Sequence, residues 1–297
     1  VPEGPELARS RDFLRGLVLG KELTSLELVG GRYGKSPPAG MVDFSQELWN
    51  GAQAPIVITD VGVKGKFMWW ELRRSDVAEP WFMWCTYGMS GMWSTLPIDK
   101  HTAVVVMVNE PGAPSSSVGS CYVQFRDPRH FGTVKFVKGR KALDKKLATL
   151  GPDMLNDPPD LQQFWVRLLA TRPVAPDGKP SSTLAEILMR QDIVSGVGNY
   201  VKAEALHRAK LSPHRTVSSL DAADVQRLYH AIIDVMRASY DAQGATVQSY
   251  RTGEGERGKA QNFFRVYGRE HDEYGHEVTR ETTGDGRTTH WCRSCQA

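Results

Sequence analysis

The chain of 297 residues is long enough for two domains, each with its own hydrophobic core, and 40% hydrophobic with 24% charged residues is ordinary globular composition. The formal net charge of +3 is a mild basic lean, in which the placement of Lys and Arg says more than their total. No run approaches the roughly 18 consecutive apolar residues of a membrane span, and four cysteines do not make a secreted disulfide framework.

Residues 5 to 19 predict a helix, with Leu7, Leu14, Leu17 and Val18 on one face and Gly20 ending it. The opening also carries Glu3, Glu6, Arg9 and Arg11 where a signal peptide would be apolar, so a cytoplasmic location is the expectation. From about 22 to 138 the pattern changes to short β-rich runs at 22–29, 56–63, 67–72, 81–87, 103–108, 122–125 and 133–137, separated by turn residues. Many short strands at this spacing predict an antiparallel sandwich or barrel, and Cys85 and Cys121 fall on strands as buried thiols. Pro37-Pro38-Ala39-Gly40 and 111–119 read as loops.

After about 140 the signal is helical, at 141–150, 161–170, 183–190, 200–210 and 220–240. The last carries Val225, Leu228, Ile232, Val235 and Met236 as one stripe, with a cap from Ser219 or Asp221. Residues 172–182 read as a Pro/Gly/Ser linker, 243–262 as a polar glycine-rich loop, and the tail from 263 alternates like a hairpin. The expected fold class is α+β and multidomain. A β-sandwich domain with an N-terminal helix covers 1–138, a helical domain 139–262 and a terminal β-hairpin 263–297.

Two stretches carry chemistry. Val1 is what a GTG start codon gives when translated literally, so the expectation is that the chain begins at Pro2 with a free secondary amine. Such an amine is less basic than lysine, is a nucleophile at neutral pH, and forms an iminium with a sugar carbon. Glu3 beside it supplies an acid or base, although prolines and glutamates are also ordinary helix-entry residues. The second stretch, Gly196-Val197-Gly198-Asn199 at a helix start, is a phosphate seat in form, with closely approaching backbone, free N–H groups and a side-chain amide. Alone it could equally be a tight turn between packed helices.

Together, Pro2-Glu3-Gly4-Pro5-Glu6, Leu188-Met189-Arg190-Gln191 and Gly196-Val197-Gly198-Asn199-Tyr200 resemble the formamidopyrimidine-DNA glycosylase and endonuclease VIII family over almost the whole chain. The resemblance implies a bifunctional DNA glycosylase and abasic-site lyase with a helix-two-turns-helix domain. Double-stranded damaged DNA lies in a cleft between its domains, the protein is a monomer, and catalysis needs no cofactor. By the same resemblance Pro2 is the nucleophile, Glu3 the acid/base and Glu6 a supporting carboxylate. Lys66 in Lys64-Gly65-Lys66-Phe67 contacts a phosphate beside the lesion and belongs with the catalytic set, and Asn199 and Arg287 bind DNA phosphates. Met89 in Tyr87-Gly88-Met89-Ser90-Gly91, with Arg129 and Phe131 in Asp127-Pro128-Arg129-His130-Phe131-Gly132, fills the void left by an extruded nucleotide. On burial tendencies alone Met89 and Phe131 would be core residues. A reading outside the enzymes is a lesion- or junction-binding DNA protein that does not cut.

The tail resembles the family's zinc-finger hairpin but lacks its first Cys-x-x-Cys, having His271-Asp272-Glu273-Tyr274-Gly275-His276 in its place. A zinc site from His271, His276, Cys292 and Cys295 is chemically allowable. The short turn resembles the zincless fingers of some relatives, and zinc is expected to be absent. The Gly4 opening resembles the endonuclease VIII branch, which favours oxidised pyrimidines, whereas residues 244–258 match the lesion-capping loop of the 8-oxoguanine branch. Oxidised pyrimidines are the expected substrates, with oxidised purines beside them.

Overall fold

The computed structural model describes residues 2–50, 54–113, 121–171, 182–246 and 250–297, which leaves most of the 172–182 linker and part of the 111–119 loop outside. The chain divides into two compact units. The first holds Pro2, residues 6–149 and 243–258; the second holds 3–5, 150–242 and 259–297.

In the first unit, α1 (Gly4–Val18) buries Leu7, Ala8, Leu14 and Val18, the stripe its periodicity predicts except that Leu17 is only half-buried. Among the described residues eight strands follow: β1 (Glu22–Leu28), β2 (Ile56–Lys64), β3 (Phe67–Arg73), β4 (Trp81–Thr86), β5 (Met92–Ser94), β6 (Thr102–Asn109), β7 (Cys121–Arg126) and β8 (Thr133–Lys138). All pair antiparallel, in the order β5-β7-β6-β1-β2-β3-β4-β8. Only two register pairs, Glu22 with Val57 and Leu23 with Ile56, join the halves at β1 and β2. Trp70 of β3 meets Trp93 of β5 with ring centroids 4.8 Å apart, although four strands separate them in the ladder, so the sheet folds over as a two-layer sandwich. A short α2 (Met41–Phe44) stacks Phe44 on Phe136 of β8, and α3 (Arg140–Ala148) follows β8. Cys85 is buried, and burial pushes its thiol well up; Cys121, expected to be buried, is only half-buried at the first position of β7.

The second unit contains α4 (Leu161–Ala170), α5 (Leu184–Met189), α6 (Asn199–Ala209) and α7 (Ala222–Asp241), with the hairpin β9 (Thr279–Thr282) and β10 (Thr288–Trp291). Thr183 and Glu186 form a capping box on α5, and Asp221 rather than Ser219 caps α7, with Asp224 completing its box. Between α5 and α6, Gln191 fastens two consecutive turns. Its amide donates to the carbonyls of Met189 and Val197, and its carbonyl accepts the Gly196 N–H at 3.0 Å. No described helix is long and apolar enough to cross a membrane.

Candidate active site and nucleic-acid interface

In the second unit the N-terminus of α6 meets an anion from the chain itself. The carboxylate of Glu3, 2% exposed, accepts the N–H of Tyr200 at 3.0 Å and of Val201 at 3.3 Å. These are two of the donors that the first turn of a helix leaves unpaired, and a carboxylate there also meets the positive end of the helix dipole. Gly198 makes the seat possible, since a Cβ on it would lie 2.2 Å from the Glu3 carboxyl carbon. The N–H of Gly4 donates to the Gly196 carbonyl at 2.9 Å, which fixes the segment carrying Glu3. The predicted phosphate seat is thus filled at two of its N–H groups by Glu3, while the Asn199 amide donates to the Thr288 carbonyl on β10 at 2.8 Å. Arg287 is exposed at the end of the β9–β10 turn, one residue before β10.

In the first unit Pro2 is buried, and Glu6, fully buried, accepts the Ala245 N–H at 2.7 Å. The Thr246 hydroxyl donates to the Tyr250 carbonyl and accepts the Gly258 N–H, which closes the base of the 243–258 loop; Val247 lies outside the described residues. Burial, and then the charge of Glu6, raise the Tyr250 phenol far above its ordinary value. Lys66 sits in the two-residue turn between β2 and β3.

The two loops expected to fill the void are fastened together. The Ser90 hydroxyl donates to Asp127 Oδ1 at 2.6 Å and accepts the Arg129 N–H at 3.1 Å, while Asp127 Oδ2 accepts the Gly132 N–H at 2.6 Å. Gly88, at φ 55°, lies so close to the second loop that a Cβ would stand 2.6 Å from the Phe131 carbonyl carbon. On this frame Met89 is half-buried, Arg129 is exposed, and the Phe131 ring is 53% exposed with the Arg129 guanidinium 5.4 Å from its centroid. Phe131 is not a core residue, as burial tendency alone would have it. Ser90 and Asp127 stand in the two motifs quoted from the sequence but drew no role there, although Ser and Asp are the residue types that fasten turns.

At the C-terminal hairpin, ligand atoms of Asp272, His276, Cys292 and Cys295 all lie within 4.8 Å of one another. Cys295 Sγ is 3.1 Å from Asp272 Oδ2 and 3.2 Å from His276 Nδ1. This corrects the predicted set in one member: His271 is exposed and pairs through its backbone with Glu277, and Asp272, the next residue along the extended chain, turns inward instead. Burial, with Asp272 and Cys292 beside it, pushes the Cys295 thiol up to about 12. Burial alone would raise the Asp272 carboxyl, but the donors around it hold it well below its ordinary value. Two thiolates, an imidazole and a carboxylate are all zinc donors, and tetrahedral ligand atoms stand about 3.3–3.8 Å apart, so the set fits the ion.

A folded-over antiparallel sandwich, a helix-two-turns-helix and a hairpin with a four-donor cluster define an α+β protein built as the glycosylases of the predicted family are. A family model described as "Formamidopyrimidine-DNA glycosylase N-terminal domain" matches residues 1–134, and one described as "Formamidopyrimidine-DNA glycosylase H2TH domain" matches 150–251. Formamidopyrimidine-DNA glycosylases of Halalkalibacterium halodurans and Bacillus subtilis are each 30% identical to the chain over 300 residues, covering all of it and 100% and 99% of their own lengths. The structure of the MutM (Fpg) protein of Thermus thermophilus superposes with a TM-score of 0.76 at 28% identity, covering 99% of this chain and 98% of that one. Lactococcus lactis Fpg, solved with DNA containing an abasic site, shares the fold with a TM-score of 0.78 at 23% identity and 99% coverage of both chains. The chain belongs to the formamidopyrimidine-DNA glycosylase family, within the formamidopyrimidine-DNA glycosylase and endonuclease VIII group that its motifs resemble.

Proposed function

We propose that the protein is a DNA N-glycosylase that also cleaves the strand at the resulting abasic site, with Pro2 as nucleophile once residue 1 is removed. The observation that carries this reading is the Glu3 seat: a buried carboxylate, directly after the proline, held by two backbone N–H groups of a helix N-terminus. In this mechanism the Pro2 nitrogen attacks C1′ of the damaged nucleotide. The new C–N bond replaces the glycosidic bond, and the base departs with that electron pair and a proton. Loss of the amine proton and cleavage of the C1′–O4′ bond, with O4′ taking the electron pair and a proton, open the sugar ring to an iminium; its positive charge acidifies C2′–H, and elimination then expels the 3′ phosphate and afterwards the 5′ phosphate. Glu3 moves protons at the deoxyribose, with the fixed N–H donors holding its carboxylate in one orientation. Lys66, Asn199 and Arg287 contact the DNA backbone, and Met89, Arg129 and Phe131 occupy the vacated step.

The proposed substrates are oxidised bases. The Gly4 opening supports the pyrimidine side, and the name carried by the relatives points to formamidopyrimidine lesions. Against the expectation of a zincless finger, Asp272, His276, Cys292 and Cys295 would hold a structural zinc, since they gather four donors of the kinds zinc takes.

The test combines the intact mass of the N-terminus with borohydride trapping on an abasic duplex. A chain beginning at Pro2 that becomes covalently attached to DNA through that residue supports the lyase, and a panel of oxidised pyrimidines and purines then ranks the bases. A chain shown to begin at Pro2 that binds the duplex without forming an adduct overturns the reading in favour of a binder.

A further inference from the structure

Of the eleven residues of α6, nine are buried, and among these stand a glutamate and a lysine. Glu204 accepts the N–H groups of Arg265, Val266 and Tyr267 at 2.8–3.0 Å and so pins the chain entering the hairpin region to the helix. Lys202 is the other, and nothing in the glycosylase mechanism uses it. Its side chain is 0% exposed, and its ammonium donates to Asp285 Oδ2 at 2.5 Å, where the Asp285 side chain is itself only 4% exposed.

A buried ion pair is a poor device for stability alone, because desolvation of both charges offsets their attraction and apolar replacements are often as stable. What this pair does geometrically is more specific. The other Asp285 oxygen accepts the Thr283 hydroxyl at 2.5 Å and the Arg287 N–H at 3.5 Å. Thr283 in turn donates its N–H to the Arg287 carbonyl at 3.1 Å and shares a hydrogen bond with Thr289. Asp285 therefore organises the whole turn from which Arg287 emerges, and Lys202 anchors Asp285 to α6. Two residues earlier on the same helix, Tyr200 begins the seat of Glu3, whose charge acts favourably on Lys202, whereas that of Arg287 acts against it.

We propose that Lys202 is a positioning residue, which through Asp285 locks the Arg287 turn to the helix that seats Glu3 and so sets the distance between the phosphate grip and the reacting sugar. The proposal rests on the glycosylase reading. Because its side chain is wholly buried, Lys202 displaces no counterion itself; whatever it contributes to DNA binding passes through Arg287.

That separation gives the test. Binding of the full-length protein to a duplex with a stable abasic analogue is measured across a salt series, for the parent, Lys202→Met, Asp285→Asn, Arg287→Ala and Lys202→Met/Arg287→Ala. Each phosphate contact contributes about 0.9 to the slope of log K against log salt. Lys202→Met is expected to lose about one such contact from the slope, as Arg287→Ala does, with a roughly tenfold fall in affinity at moderate salt. The double variant is expected to bind like Arg287→Ala alone. Asp285→Asn repeats the effect without altering the lysine, and serves as the reading if Lys202→Met does not fold. A folded Lys202→Met or Asp285→Asn with the parent slope, or a double variant whose losses add, overturns the proposal. A parent that fails to bind the abasic duplex instead overturns the glycosylase reading.

Discussion

At the scale of single residues, the Glu3 carboxylate does one task and the Asp127 carboxylate another, and their environments say which. Glu3 is oriented by two backbone N–H groups at a helix N-terminus, directly beside the proposed nucleophile, which suits it to moving protons there. Glu3→Gln should keep the seat in outline, because an amide oxygen still accepts an N–H, yet lower base removal by about 10²-fold or more, the usual worth of a general acid or base. Single-turnover excision on an oxidised-base duplex measures it; a rate within a few-fold of the parent removes Glu3 from the chemistry. Asp127 instead satisfies Ser90 and two loop N–H groups. Asp127→Ala strands those donors and should cost about 1–3 kcal/mol of stability, read by urea unfolding, while loosening Arg129 and Phe131 together. Of these residues only Glu3 stood out in the sequence, because it stands next to a proline. Asp127 and Lys202 act through partners 37 and 83 positions away, which no local pattern reveals. A lysine inside a helix buried on nearly every face is the one hint that Lys202 gave.

At the scale of elements, legibility followed the length and strength of the local signal. α7 runs for 20 residues with a full apolar stripe, and its position was readable to within two residues. β5 has only three residues, too few for an alternation to register, and it exists because β7 pairs with it. The α7 cap is also a site of pH dependence. Burial raises the Asp224 carboxyl, but the Asp221 N–H, Arg215 and Arg227 outweigh it and leave its pKa lower in the folded protein than in the unfolded chain. A depressed carboxylate adds stability above its unfolded pKa, near about 3.9, and loses it as pH falls through the lower folded value. The melting temperature of Asp224→Asn should therefore lie below the parent at pH 7, and the gap should close on acidification below about pH 4. Asp221→Ala, which removes the side-chain cap, should cost about 1 kcal/mol of stability. A gap for Asp224→Asn that widened in acid would contradict the assignment.

At the scale of the whole molecule, the chain is two compact units with unequal sources of stability. The first has a large aromatic sandwich core, including Trp70, Trp93, Phe82 and Phe125. In the second, Val266, Val278 and Cys292 cluster against Ala203, with Tyr267 and Cys295 partly covered, and Trp291 adds a buried ring on β10, a small core beside that of the sandwich. A hairpin with so small a core is marginal without a further tie, and the cluster of Asp272, His276, Cys292 and Cys295 supplies one if zinc is held there. The purified protein should then contain about one equivalent of zinc, and cobalt substituted for it should give the absorption of a tetrahedral thiolate site. Chelation should lower the unfolding transition of the second unit by roughly 5–10 °C, since each kcal/mol moves a unit of this size by about 4 °C, and leave that of the sandwich in place. Asp272→Ala and His271→Ala separate the structural assignment from the one read in the sequence. Loss of metal in the first and its retention in the second fits Asp272 as the fourth donor. Loss in the second alone would restore His271, and a metal-free parent whose melting ignores chelator would mean that the hairpin stands on its hydrogen bonds and its small core.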